Sequence, residues 1–227
     1  MRWLPDRTGA FPKRLYFESL SEIDDECERL IEFTHHKCFS KKPVLPLADD
    51  VLTVLVEQHA DLDLYAILPA PLHGVTEFRQ GKRPLVQIND DLSSSPTRRN
   101  RMRTTVAHEW FHAVHHRRVW ELRWARDRIQ GKGRAQRAEC RDDTIVGAHD
   151  QNWMEFQAGY ASCAILMPRG PVVGLHRGLR VRDDQSREGE LVARVASAFD
   201  VSEDAARWRL RLLHLLPHQQ ANQQSPT

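Results

Sequence analysis

Three residues in one short run carry the strongest chemical signal in this sequence: His108, Glu109 and His112, in Val-Ala-His-Glu-Trp-Phe-His. On a helix, side chains four apart lie on one face, about one turn up. Imidazoles at 108 and 112 can therefore meet at one metal ion. Glu109 is turned from His108 by about 100°, which sets its carboxylate beside an open coordination position rather than on the metal. There it can take a proton from a water activated by the metal and later give it to a leaving amine. Zinc suits this work, because it lowers the pKa of its water to about 7 and polarises a scissile carbonyl. The pattern points to zinc-assisted hydrolysis of a peptide bond.

Such a site takes a third protein ligand. Metzincins supply a His six residues after the second one, with a Gly between; here those positions hold Arg118 and His115, so that class fails. Thermolysin-like enzymes take a Glu from a later helix. Glu155 is the best candidate, followed by Ala158, Gly159, Ala161 and Ser162, which are small enough to let another helix approach closely. Its bland reading is a solvated first-turn acid favoured by the helix dipole. Asp142, Asp143, Cys140 and His149 are rivals, and position alone does not decide between them. Two further residues could stabilise a transition state. His115 could face the open metal position, and Tyr160 could donate a hydrogen bond to a tetrahedral intermediate. Their bland readings are a surface histidine at a helix C-terminus, shared with His116, and a core tyrosine. Cys163 reads as a small buried residue.

Several elements must hold these groups. The motif helix starts at Ser95 as cap and Pro96 in the first turn and runs to His116. Val106, Trp110 and Val114 form a stripe nearly opposite the two histidines. A helix over 153–168, ended by Pro168, carries Glu155. Residues 74–89 read as two strands around Gln80-Gly81-Lys82, with Val86 and Ile88 on one face. A brief alternation over 63–71 stops at Pro69. Helices are expected over 19–35, capped by Ser19 or Ser21, and over 48–59. Two more lie within 187–216, with a turn at Asp200-Val201 and Ser202 capping the second. Residues 1–18 look irregular, and 117–151 reads as a long polar loop.

The 227 residues allow one or two domains with a real core. A composition of 41% apolar and 28% charged residues is that of a soluble globular chain, and a net charge of +2 implies no polyanion partner overall. No apolar run is long enough for a transmembrane helix, and the N-terminus lacks the core of a signal peptide. The four cysteines, Cys27, Cys38, Cys140 and Cys163, form no C-x-x-C pair, which points to a reducing, cytoplasmic setting. Residues 98–141 hold thirteen Arg or Lys against four Asp or Glu. That excess could contact DNA or an acidic partner, or simply form a solvated rim. The last two helices have helix-turn-helix spacing, with Arg207, Arg209 and Arg211 on the second. The leucines at 210, 212, 213, 215 and 216 favour packing over DNA reading.

Taken together, the segments GVTEF and PLVQIN, then RMRTTVAHEWFH, then MEFQAGYASCAILMP, and finally LVARVASAFDVSEDAARWRLRLLHLL resemble the ordered motifs of the ImmA/IrrE family of metallo-endopeptidases, over roughly residues 48–216. The resemblance implies an α+β chain with a minimal zincin-like fold, a small β-sheet packed on the HExxH helix, and a helical C-terminal part. It implies zinc held by His108, His112 and Glu155, with Glu109 as base. It also implies a regulatory substrate, a helix-turn-helix repressor encoded nearby in a mobile element or stress response. Gly159, Ala161 and Trp110-Phe111 depart from the family's usual residues, as does the long 117–151 insertion, and these changes bear on substrate identity. The expected organisation is an N-terminal extension at 1–47, a zinc peptidase core at 48–170 with a basic insertion at 117–151, a helical part at 171–216 and a disordered tail at 217–227. The competing reading is a non-catalytic zinc-containing regulator that binds DNA or a repressor protein. Membrane partners are not expected, and oligomeric state is not legible.

Overall fold

The computed structural model describes residues 2–35, 46–131, 137–140, 153–179 and 184–216. Cys38, Asp142, Asp143, His149, the side chain of Cys140 and the 217–227 tail lie outside the described residues. The elements run β1 (Arg2–Pro5), β2 (Lys13–Tyr16), α1 (Leu20–His35), α2 (Asp49–Glu57), β3 (Asp61–Ala66), β4 (Gly74–Glu77), β5 (Leu85–Asn89) and a short α3 (Asp90–Ser93). After a 3-10 turn at Pro96–Arg98 come α4 (Arg99–Phe111), a π-helical turn over His112–His116, α5 (Arg117–Ile129), β6 (Arg137–Cys140), α6 (Trp153–Leu166), α7 (Arg169–Arg177), α8 (Asp184–Phe199) and α9 (Glu203–Leu212). The architecture is α+β.

Local sequence explains most of these boundaries. Pro96 opens the 3-10 turn that leads into α4, where its missing N–H is no loss. The Glu22 carboxylate accepts the Glu18 N–H at 3.0 Å ahead of α1, and Ser202 accepts the Ala205 N–H at 3.2 Å to start α9. Gly81, at φ +73°, turns β4 into β5. Alternation then places Val86 and Ile88 in the core while Leu85 and Gln87 are only half-buried. The sheet order is β3-β5-β4-β6, with β3 parallel to β5 and the other pairs antiparallel.

Helix α4 lies against β4, β5, α2 and α6, and from Thr105 through Phe111 every residue is buried. The small residues of α6 do what their size allows: the Cys27 thiol on α1 reaches the Ala161 carbonyl at 3.9 Å. The main core gathers side chains from α1, α2, β5, α4 and α6 to α9, including Ile23, Val86, Trp110, Ile165 and Phe199.

Two regions differ from expectation. Residues 1–18 are not irregular but hold an antiparallel hairpin of β1 and β2. Its turn is tied by the Asp6 carboxylate, which accepts the Phe11 N–H at 3.0 Å. The 117–151 stretch is not a loop throughout: α5 continues the motif helix, and β6 pairs with β4. These two regions meet in a second core of Leu15, Phe78, Val119, Trp120, Trp153 and Met154. There Phe11 stands edge-on to Trp120 at 5.1 Å, and Arg123 covers the Trp120 ring. Helix α7, beyond Pro168, was not anticipated either. Among the described residues no helix is long and apolar enough to cross a membrane.

Candidate metal centre

The site is built where β4, α4 and α6 meet. Gly74 and Thr76 are two apart on β4, so they share one face, and that face meets Glu109. A Cβ at Gly74 would stand 2.6 Å from Thr105 Cγ2 and 3.0 Å from Glu109 Cγ. Only glycine lets the strand lie this close to the helix. Two residues on, the Thr76 hydroxyl donates to Glu109 Oε2 at 2.6 Å.

On the neighbouring faces of α4 and α6, three ligand-type atoms converge. His108 Nε2 lies 2.9 Å from Glu155 Oε2, His112 Nε2 lies 3.0 Å from His108 Nε2, and His112 Nε2 is 3.4 Å from Glu155 Oε2. A tetrahedral cation with bonds near 2.0–2.1 Å sets its ligands roughly 3.3 Å apart, so the triangle has the size such an ion needs. His108 and His112 are wholly buried and Glu155 is nearly so. Two imidazole nitrogens and a carboxylate oxygen buried around one point are stabilised by a shared positive charge, a proton or a cation. The His108, His112 and Glu155 group could hold a metal ion.

The electrostatics agree with such a shared charge. Burial opposes charge on Glu155, but His112 and His108 beside it hold its carboxyl far below the usual range. Burial likewise opposes charge on His112, and Glu155 and Glu109 outweigh it to raise the His112 pKa. Glu109 is shifted the other way. Burial raises its pKa, against the pull of the two histidines and the Thr76 hydrogen bond. Its Oε1 is buried without a hydrogen-bond partner. The carboxyl is thus anchored through one oxygen and open through the other, as proton transfer requires.

Behind His112 stands a row of partners. His116 Nδ1 is 2.8 Å from His112 Nδ1, and His116 Nε2 is 3.1 Å from Gln157 Oε1. Gln157 Nε2 donates to the Leu15 carbonyl at 3.0 Å. The rings of His108, His112 and His116 follow one another at 4.8 Å between centroids.

The structure therefore brings together His108, Glu109, His112 and Glu155, and it takes two other candidates elsewhere. His115 is no surface residue: it packs on Phe111 at 4.4 Å with Nε2 3.9 Å from Glu26. The Tyr160 hydroxyl donates to Asp24 at 2.7 Å under the guanidinium of Arg209. These partners give neither residue a transition-state role. His116 is also buried, not exposed at a helix end. Sequence reading missed Thr76 and Gln157 and left His116 as a surface histidine. The only local signal was a third histidine in the i, i+4 series 108, 112, 116.

Some of the basic 98–141 residues are paired within the molecule. Arg99 pairs with Asp49 and Asp200, and Arg103 is buried beside the same two acids. Arg117 and Arg118 reach Glu121, and Arg126 holds the Gly9 and Ala10 carbonyls. On α9, Arg209 is buried and Arg207 pairs with Glu188, which agrees with a packing role. Compared with known proteins, the chain matches no family model and no curated protein.

Proposed function

We propose that this chain is a zinc-dependent endopeptidase of the ImmA/IrrE type, with a minimal zincin-like fold. The observation that carries the reading is the convergence of His108 Nε2, His112 Nε2 and Glu155 Oε2 within 3.4 Å beside the half-anchored Glu109. Zinc held by His108, His112 and Glu155 would lower the pKa of water and polarise a peptide carbonyl. The chain's own residues do the rest. Thr76 fixes Glu109 through Oε2, leaving Oε1 to take a proton from the attacking water. The same oxygen returns that proton to the departing amine nitrogen, so the carboxylate is regenerated as the bond breaks. The dry surroundings strengthen each of these contacts. The proposed substrate is a regulatory protein, a helix-turn-helix repressor encoded beside this chain in a mobile element, cleaved in the cytoplasm.

The complete burial of His108, Glu109 and His112 favours one second reading: a zinc-containing regulator that acts by binding DNA or a repressor. One experiment separates the two. Zinc-loaded chain is incubated with the neighbouring repressor, alongside Glu109→Gln. A peptidase loses about 10²–10⁴ in cleavage rate on that change while keeping its zinc. Cleavage by the Gln variant at the parental rate would sink the mechanism, and unchanged repressor or DNA binding with no cleavage by either protein would establish the regulator.

A further inference from the structure

His116 is wholly buried and takes no part in the proton transfer assigned to Glu109, yet both of its ring nitrogens are engaged. The order of hydrogens along its contacts follows from the far end. The Leu15 carbonyl can only accept, so Gln157 must present its Nε2 there and its Oε1 to His116. An amide oxygen also only accepts, so His116 Nε2 must carry the hydrogen of that contact. In a neutral imidazole the other nitrogen is then a lone pair. His116 Nδ1 therefore accepts, and the hydrogen in its 2.8 Å contact belongs to His112 Nδ1. With its hydrogen on Nδ1, His112 has its lone pair on Nε2, the atom that faces His108 and Glu155. The reverse order would put a hydrogen on Nε2 and close His112 to a cation.

We propose that His116 is a positioning residue which, backed by Gln157 and the Leu15 carbonyl of the N-terminal hairpin, holds His112 in the Nδ1–H tautomer and so presents Nε2 to the metal. The inference rests on the metal-site reading above. It adds that the hairpin and the π-helical turn belong to the site, since β2 supplies the last acceptor and the turn carries His116. A ligating imidazole whose second nitrogen is held in this way is oriented and made more basic, and loss of such a partner costs about 10–100-fold in metal affinity.

The test measures zinc, not cleavage. Zinc dissociation constants are taken by chelator competition for the parental chain, His116→Phe, His116→Gln and Gln157→Leu. Nitrogen NMR of the zinc-loaded parental chain reads which His112 nitrogen carries hydrogen. The Phe variant keeps the ring volume but cannot accept, and is expected to bind zinc about 10–100-fold more weakly. The Gln variant can accept through its amide oxygen and should stay within about threefold of the parent. Gln157→Leu, which leaves His116 in place, should weaken binding by about tenfold and serves should the Phe variant not fold. The NMR should show His112 with hydrogen on Nδ1 and zinc on Nε2. Parental zinc affinity in the Phe variant, or zinc on Nδ1, would overturn the inference while leaving the metal site standing. A parental chain that binds no zinc would overturn both.

Discussion

Helix α6 serves two buried charged clusters on different faces. Glu155 and Tyr160 are five residues apart, roughly 140° around the helix. Glu155 faces α4 and the two histidines. Tyr160 faces Asp24 of α1 and Arg209 of α9. The second cluster is closed: Arg209 bonds Asp24 and donates to the Met167 carbonyl at 2.9 Å, and Tyr160 takes the other Asp24 oxygen. Positive and negative charge meet inside it, so it joins three helices, and of its guanidinium nitrogens only Arg209 Nη1 is left without a hydrogen-bond partner. The first cluster points three ligand-type atoms at one position, and in the tautomer proposed above the spare hydrogen of His112 is turned away from it. Equal burial thus has two meanings. A cluster whose opposite charges pair within it is a joint, and a cluster whose ligand atoms could hold a metal ion is a socket.

The contrast breaks most readily by deleting one acid from each. Asp24→Ala strands Arg209 in the interior without its carboxylate, which should cost about 3–5 kcal/mol of unfolding free energy and leave zinc affinity unchanged. Glu155→Ala should do the reverse, abolishing the gain from zinc, about 4 kcal/mol at a thousand times the dissociation constant. Denaturant unfolding with and without zinc measures both. If Asp24→Ala weakened zinc as much as Glu155→Ala, the two clusters would be one.

A smaller effect should come from His115, which belongs to neither. Burial pushes its pKa down to about 4, against the charge of Glu26, with Arg29 and His59 adding to the depression. An unfolded histidine titrates near 6.5. Between those values the unfolded chain binds the extra proton, so stability is complete above about pH 6.5 and falls as pH drops toward 4, by about 3 kcal/mol in all. His115→Leu should flatten that slope. Unfolding curves at several pH values, with chelator present to silence the metal site, test it; an unchanged slope in the variant would refute the assignment.

What could be read in advance follows from where the physics is local. The i, i+4 spacing of His108 and His112 and the offset of Glu109 are properties of one helix, and they appear in the structure as read. The strand pair at 74–89, the helical start at Pro96, where Ser95 makes no side-chain cap bond, and the cap at Ser202 are equally local. Other partners are not. Thr76 meets Glu109 across 33 residues and Gln157 meets His116 across 41, and no periodicity joins them. Helix α6 is buried around nearly its whole circumference, so it has no amphipathic stripe to say that Tyr160 faces away from Glu155. Helix α5 was obscured differently: its buried Val119 and Trp120 stand among arginines. Several of those arginines lie in i, i+3 or i, i+4 pairs with acids, as in Arg117–Glu121 and Arg123–Asp127. The hairpin at 1–18 has strands of only four residues, too short for alternation to stand out.

The finest distinction between socket and joint lies in Thr76. Its hydroxyl touches no ligand atom, yet it holds the one oxygen of Glu109 that is not free. If Glu109 is a base, Thr76 is a positioning residue, and its loss should show in turnover rather than in metal binding. Thr76→Val keeps the shape and removes the donor. One hydrogen bond to a charged group is worth about 1.5 kcal/mol, or about tenfold in kcat, with zinc affinity as in the parent. Thr76→Ser keeps the donor and should restore most of the rate, which a purely packing role of the Thr methyl would not allow. Steady-state cleavage of the repressor by the three proteins, with zinc titrated in parallel, decides it. Equal rates in Val and Ser variants would make Thr76 filler between β4 and α4. A Val variant that lost zinc would move Thr76, and Glu109 with it, from the chemistry into the socket.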